Sequence, residues 1–151
     1  MIDNFAESKK SVCIAPQDAS SSINGTGIDL QGYNACTFDC SLVLSTADGT
    51  NYIDLKIQES DDDSTYSAVA VANLVGLPVG TTSLTTGIFK SVQTTTTGAV
   101  YSIGYVGTKR YVRVISTVTG TIVGVLGVNA ILGGAANGPA TAKDSAITVS
   151  A

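Results

Sequence analysis

The chain contains no histidine. That removes the commonest general base, the commonest metal ligand and the imidazole partner of serine and cysteine nucleophiles. Tryptophan is absent as well, which weakens any reading as a carbohydrate-binding module with an aromatic-lined cleft. Charge is scarce: 13% of residues are Asp, Glu, Lys or Arg, against about 25% in an ordinary globular domain. A soluble chain this poor in charge is expected to have part of its surface covered by something else. The net charge is −4, which argues against nucleic-acid binding, since that needs a basic face.

Long apolar runs are also missing. The most apolar stretch, Thr121 to Ala136, is interrupted by Asn129 and several glycines and falls short of the ~20 residues of a membrane span. No membrane association is expected. Met1 to Glu7 shows no basic segment leading into an apolar one, so no secretory signal is read and synthesis in a cytoplasm is expected. The three cysteines, Cys13, Cys36 and Cys40, are too few for a four-ligand structural zinc site. Cys36 and Cys40 are read on one strand, where four residues span roughly 13 Å and a bridge needs Cα atoms within about 7 Å. Reduced core thiols are expected. No Gly-Lys-Ser/Thr phosphate loop and no dinucleotide fingerprint occur. The expectation is no catalytic residue, no cofactor, no metal and no enzyme.

What is present is strand signal. Ile53, Leu55 and Ile57 alternate with Asp54, Lys56 and Gln58, the period of a strand with one buried face. Within Ala35 to Ser45, Cys36, Phe38, Cys40, Leu42 and Leu44 share a face, with Val43 as the exception. Lys109 to Thr117 is rich in tyrosine, valine and isoleucine. Thr121 to Val128 is β-branched but broken by Gly124 and Gly127, which predict bulges or close backbone approach. Ser145 to Ser150 alternates again. Tyr66 to Leu74 fits a helical turn and an alternating strand equally. Thr94 to Thr97 and Gly133 to Lys143 read as loop or edge. Asp- and Gly-rich turns fall between these runs, notably Ala47 to Thr50, Ser60 to Ser64, Gly76 to Gly80 and Val106 to Thr108. Short strands at this spacing predict an all-β fold, a sandwich or barrel, over 13–135. Residues 1–12 and 136–151 read as extended terminal arms.

Two charged clusters stand out. Glu59, Asp61, Asp62 and Asp63 fit a solvated turn closing the strand Ile53 to Gln58, a calcium loop, or an acidic patch against a neighbouring subunit. The EF-hand pattern, with its central glycine and terminal glutamate, is absent. Lys109, Arg110 and Arg113 flank Tyr111. On a strand, Lys109, Tyr111 and Arg113 share one face, and Arg110, Val112 and Val114 the other. Arginine's planar fork suits a carboxylate, within the chain or across an interface. Tyr101, Tyr105 and Tyr111 gather around this basic group, and tyrosine is favoured both in sheets and at interfaces.

These clusters lie in two stretches that carry a resemblance. One is Leu55-Lys56-Ile57-Gln58-Glu59-Ser60-Asp61-Asp62-Asp63-Ser64-Thr65-Tyr66-Ser67. The other is Ile103-Gly104-Tyr105-Val106-Gly107-Thr108-Lys109-Arg110-Tyr111-Val112-Arg113-Val114. Together they resemble a group of small tailed-bacteriophage structural proteins, the capsid decoration (cement) proteins. The resemblance implies a jelly-roll-like antiparallel β-sandwich on the outer capsid surface of a virion, bound to the major capsid protein as a homotrimer. It implies no catalytic residue. It makes Glu59, Asp61, Asp62, Lys109, Arg110, Tyr111 and Arg113 candidates for shaping the domain or its interfaces. A head–tail connector or tail component, and a soluble carbohydrate-binding sandwich, are the alternatives.

Overall fold

The computed structural model describes residues 8–135; the alternating segment Ser145 to Ser150 and the expected arm over 136–151 lie outside them. The described chain forms eleven strands: β1 (Lys9–Asp18), β2 (Ile23–Asn24), β3 (Ile28–Asp29), β4 (Tyr33–Thr46), β5 (Tyr52–Ser60), β6 (Ser67–Ala68), β7 (Leu74–Val75), β8 (Ile88–Val92), β9 (Thr96–Tyr105), β10 (Tyr111–Thr119) and β11 (Val123–Ala135). Two single 3-10 turns, Val71–Asn73 and Thr85–Gly87, are the helical segments among the described residues. No helix there is long and apolar enough to cross a membrane.

The strands build two antiparallel sheets. The first runs β1-β11-β4-β9-β7; the second runs β2-β10-β5-β6, with β3 also on β10 and β8 also on β5. The expected all-β sandwich is the architecture found. Period-two patterning explains it, because each long strand places its apolar positions inward. Cys36, Phe38, Cys40, Leu42 and Leu44 of β4 are buried, as are Leu126, Val128, Ala130 and Leu132 of β11 and Ile103 and Tyr105 of β9. From the second sheet come Ile53, Leu55 and Ile57 of β5 and Val112 and Val114 of β10. These join in one core cluster. Val43, the residue that broke the alternation on β4, points outward and is 40% exposed.

Several boundaries differ from the sequence expectation. Residues 9–12, expected in an arm, belong to β1 and pair with Leu132, Ile131, Ala130 and Asn129 of β11. Their pattern is hidden by register shifts between Val12 and Ile14 and between Ile14 and Gln17, since a bulge puts two residues opposite one and breaks the alternation. Gly133 and Ala135, expected in a loop or edge, continue β11 opposite Ala35 and Tyr33, between β1 and β4; ladder hydrogen bonds need no side chain, and Gly134 takes a positive φ of 64° there. The ambiguous Tyr66 to Leu74 segment resolves into short β6, one 3-10 turn and the start of β7. The two glycines of the apolar run act as expected. A register shift falls between Val123 and Gly124, and Pro16 packs over Gly127.

Candidate functional site

The two stretches singled out in the sequence meet in space. β5 and β10 are antiparallel neighbours, with Ser60 opposite Tyr111, Glu59 opposite Val112 and Gln58 opposite Arg113. The acidic turn after β5 therefore sits beside the β9–β10 connection that carries Lys109 and Arg110.

Glu59 points inward, because β5 alternates Ile53, Leu55, Ile57, Glu59 on its core face. It is 9% exposed. The hydroxyl of fully buried Tyr105 donates to Glu59 Oε2 at 2.7 Å. The Tyr105 hydroxyl oxygen in turn accepts the backbone N–H of Lys109 at 3.0 Å. Burial, and then the bond to Glu59, hold the Tyr105 phenol well above its ordinary range. A Cβ at Gly107 would overlap the Tyr105 ring and hydroxyl, so the glycine two residues on makes room for the tyrosine.

Asp61 forms an exposed ion pair with Lys109, which raises the lysine above its ordinary value, chiefly through the hydrogen bond. Asp62 organises the turn. Its Oδ1 accepts from Thr65 N at 2.8 Å, Ser64 N at 3.0 Å and Ser60 Oγ at 2.8 Å. Those bonds, the backbone ones first, pull its carboxyl down to about 2. Asp63 adopts a positive φ of 58° and accepts the hydroxyl of Tyr66. A Cβ at Gly27 would collide with both of those side chains.

Arg113 lies over the Tyr66 ring, 3.8 Å from its centroid. Its Nε and Nη2 both donate to Gln58 Oε1, at 3.1 and 2.9 Å. Arg110 takes a carboxylate within the chain: Nε donates to Asp29 Oδ1 at 3.1 Å and Nη2 to Asp29 Oδ2 at 2.8 Å, with Gln31 Oε1 at 2.9 Å from Nη2. The bond from Arg110 is the main reason that Asp29 sits below the usual carboxylate range. Arg110 precedes β10 and is exposed, whereas Val112 and Val114 face the core. Tyr111 lies between Ser60 and Asp29 of the flanking strands and 5.1 Å below the Arg110 guanidinium.

All seven candidates thus fall at one end of the second sheet. Each carboxylate and cation among them has a named partner, and Tyr111 contributes packing. Sequence reasoning missed Asp29, Gln58, Tyr66 and Tyr105 as partners. Tyr105 and Gly107 did stand in the Gly-Tyr-x-Gly pattern, which was the available signal.

Among the described residues no buried side-chain nitrogen or oxygen lacks a hydrogen-bond partner, and no group of three or more His, Cys, Asp or Glu is placed to hold a metal. The thiols are free and buried. Burial is the first cause that pushes Cys13 up to about 11 and Cys36 and Cys40 up to about 12; protonated thiols are poor nucleophiles.

No family model matches the chain, and no curated protein matches it. Among solved structures it is similar to the VP2 protein of infectious bursal disease virus in the crystal structure of its subviral particle, with 18% identity and a TM-score of 0.25. The likeness covers 85% of this chain and 42% of that chain, so this chain spans less than half of that neighbour. A likeness at this level identifies no family.

Proposed function

We propose that the chain is a virion structural protein, and more finely a decoration protein on the outer surface of a tailed-phage capsid. In this reading it binds the major capsid protein, and its copies assemble as a homotrimer. The observation that supports it is the convergence of the two resembling stretches. Residues far apart in sequence join in one closed network, Glu59 with Tyr105, Asp61 with Lys109 and Gln58 with Arg113. The charged residues of both stretches are paired within the chain, as a signature that specifies a domain would require.

The physics of the role is compatible with the composition. A shell-binding protein stabilises the assembled state by mass action, because it binds that state and not the free subunits. Joining several weak contacts raises avidity by about 10² to 10⁴ without any new contact. A low-charge surface loses little desolvation energy on contact.

The test is co-sedimentation of the purified full chain with virus particles from its source, counting copies per particle. Several hundred copies on the shell, with particles more resistant to heat, support decoration. A dozen copies or fewer point to the head–tail connector or tail, and absence of binding overturns the virion reading.

A further inference from the structure

The two outer faces of the sandwich differ. Eight large hydrophobic side chains are exposed among the described residues. Six of them, Val12, Val43, Val75, Val100, Val123 and Val125, lie on strands of the first sheet, and none on strands of the second; the other two, Val79 and Val106, are in connections. The six are between 40% and 64% exposed.

Register shows that they share one surface. Val125 of β11 is directly opposite Val43 of β4. One step along, Gly127 is opposite Ser41, which is opposite Val100 of β9. Val75 of β7 is opposite Gly104 of β9. On the three central strands β11, β4 and β9, the outward positions carry a single charge, Asp39, which accepts the Ser102 hydroxyl at 2.5 Å. The central strands of the second sheet carry Asp54, Lys56 and Arg113 outward. A face that combines exposed valines with short polar side chains and little charge has the composition of an interface.

The charge on this face also indicates its occupant. Val12, Asn129 and Asp39 form one cross-strand row over β1, β11 and β4. Lys10, exposed on edge strand β1, and Asp39 border a hollow of about 380 Å³ together with Val12, Asn129 and Ile131. Lys10 lies two strands away from Asp39 and two residues along, its row running through Ile131 to Thr37, and no ion pair joins the two. Among the described residues, therefore, this surface presents exposed valines with a cation at its edge that forms no ion pair there and an anion at its centre. The Asp39 of a second copy complements Lys10, and the Lys10 of a further copy complements Asp39, as in a closed ring of copies.

We propose that a second copy of this chain covers the outer face of the first sheet, burying the valine field, with Lys10 of one copy meeting Asp39 of the next. This deepens the reading that copies assemble together and rests on that part of it. It is tested without a shell, so its failure leaves shell binding open.

The experiment is sedimentation velocity of the full chain at micromolar concentrations and above. The wild type is expected at a multiple of the 15.3 kDa chain mass. Val125→Lys is expected to sediment as a single chain with unchanged circular dichroism, because an exposed position accepts lysine without disturbing the core. Val100→Lys, on a different strand, guards against a local folding defect in the first variant. Lys10→Glu is expected to weaken association about tenfold, and the double swap Lys10→Glu, Asp39→Lys to restore it, which a non-specific sticky face would not do. A wild type that sediments as one chain at every concentration overturns the proposal. So does persistence of the assembly in both lysine variants. A single chain in solution whose particle binding is lost in Val125→Lys also overturns it, and assigns the face to the shell.

Discussion

Tyr105 of the first sheet donates its hydroxyl to Glu59 of the second, 2.7 Å away, so a single hydrogen bond ties the two layers of the sandwich at the end where the charged turns gather. Because Tyr105 Oη also accepts the N–H of Lys109, it fixes the β9–β10 connection as well.

Removing that hydroxyl leaves a buried carboxylate and a backbone N–H without their partner. Tyr105→Phe is expected to cost about 1–3 kcal/mol, the penalty for an unsatisfied buried group, read as a lower urea midpoint at unchanged slope. Glu59→Gln keeps an acceptor for the hydroxyl and is expected to cost less. Equal losses in the two variants would mean that the bond does not set the cost.

Asp62 gives a pH prediction. Its folded-state carboxyl lies at about 2, against an ordinary 3.8. The unfolded state therefore binds its proton first as pH falls, and the associated stability is present above about pH 4 and lost as pH falls through about 2. Melting temperature is expected to drop across that window, and Asp62→Asn to flatten the drop. An identical pH profile in the variant would refute this role for Asp62.

The extent to which this was legible in the sequence follows from physical range. β4, β5 and β10 show alternation because one face of each is buried, and the register shifts at Leu42/Leu44 and Leu55/Lys56 place the extra residue on the partner strands β9 and β8. β1 was hidden by its two register shifts, and β2 and β3, with two residues each, are too short to show any period. The far end of β11 was misread because glycine and alanine carry no patterning, although their backbone pairs as well as any other. At the candidate site, the acidic turn and the basic strand were visible as clusters, since each is local. Their partners were not, because pairing is set by topology: Asp29 lies 81 residues from Arg110, and Glu59 lies 46 from Tyr105. That Arg110 meets its carboxylate within the chain, and that Arg113 instead takes an amide and a tyrosine face, requires the strand order.

The thiols provide a third test. All three are free and buried, with ionisation pushed up to about 11 or 12 by desolvation. At pH 8 the native protein is expected to resist a disulfide-exchange reagent and to release all three thiols on unfolding in guanidinium. Rapid native reaction of one thiol would show that its strand opens locally.

Arg110 and Arg113 are expected to differ in what their loss costs, although both make two hydrogen bonds to one partner. The Arg110–Asp29 pair is exposed, with side chains 47% and 41% accessible, and exposed pairs are worth about 0–1 kcal/mol. Arg110→Ala should therefore shift the urea midpoint little. Arg113 is part-buried against Gln58 and the Tyr66 face, where desolvation strengthens a cation–π contact to about 2 kcal/mol. Arg113→Ala should cost about that much. Lysine lacks the planar fork that reaches Gln58 Oε1 with two donors while stacking on Tyr66, so Arg113→Lys should recover only part of the loss. Full recovery by lysine would mean that charge alone, and not the shape of the guanidinium, holds the acidic turn against β10.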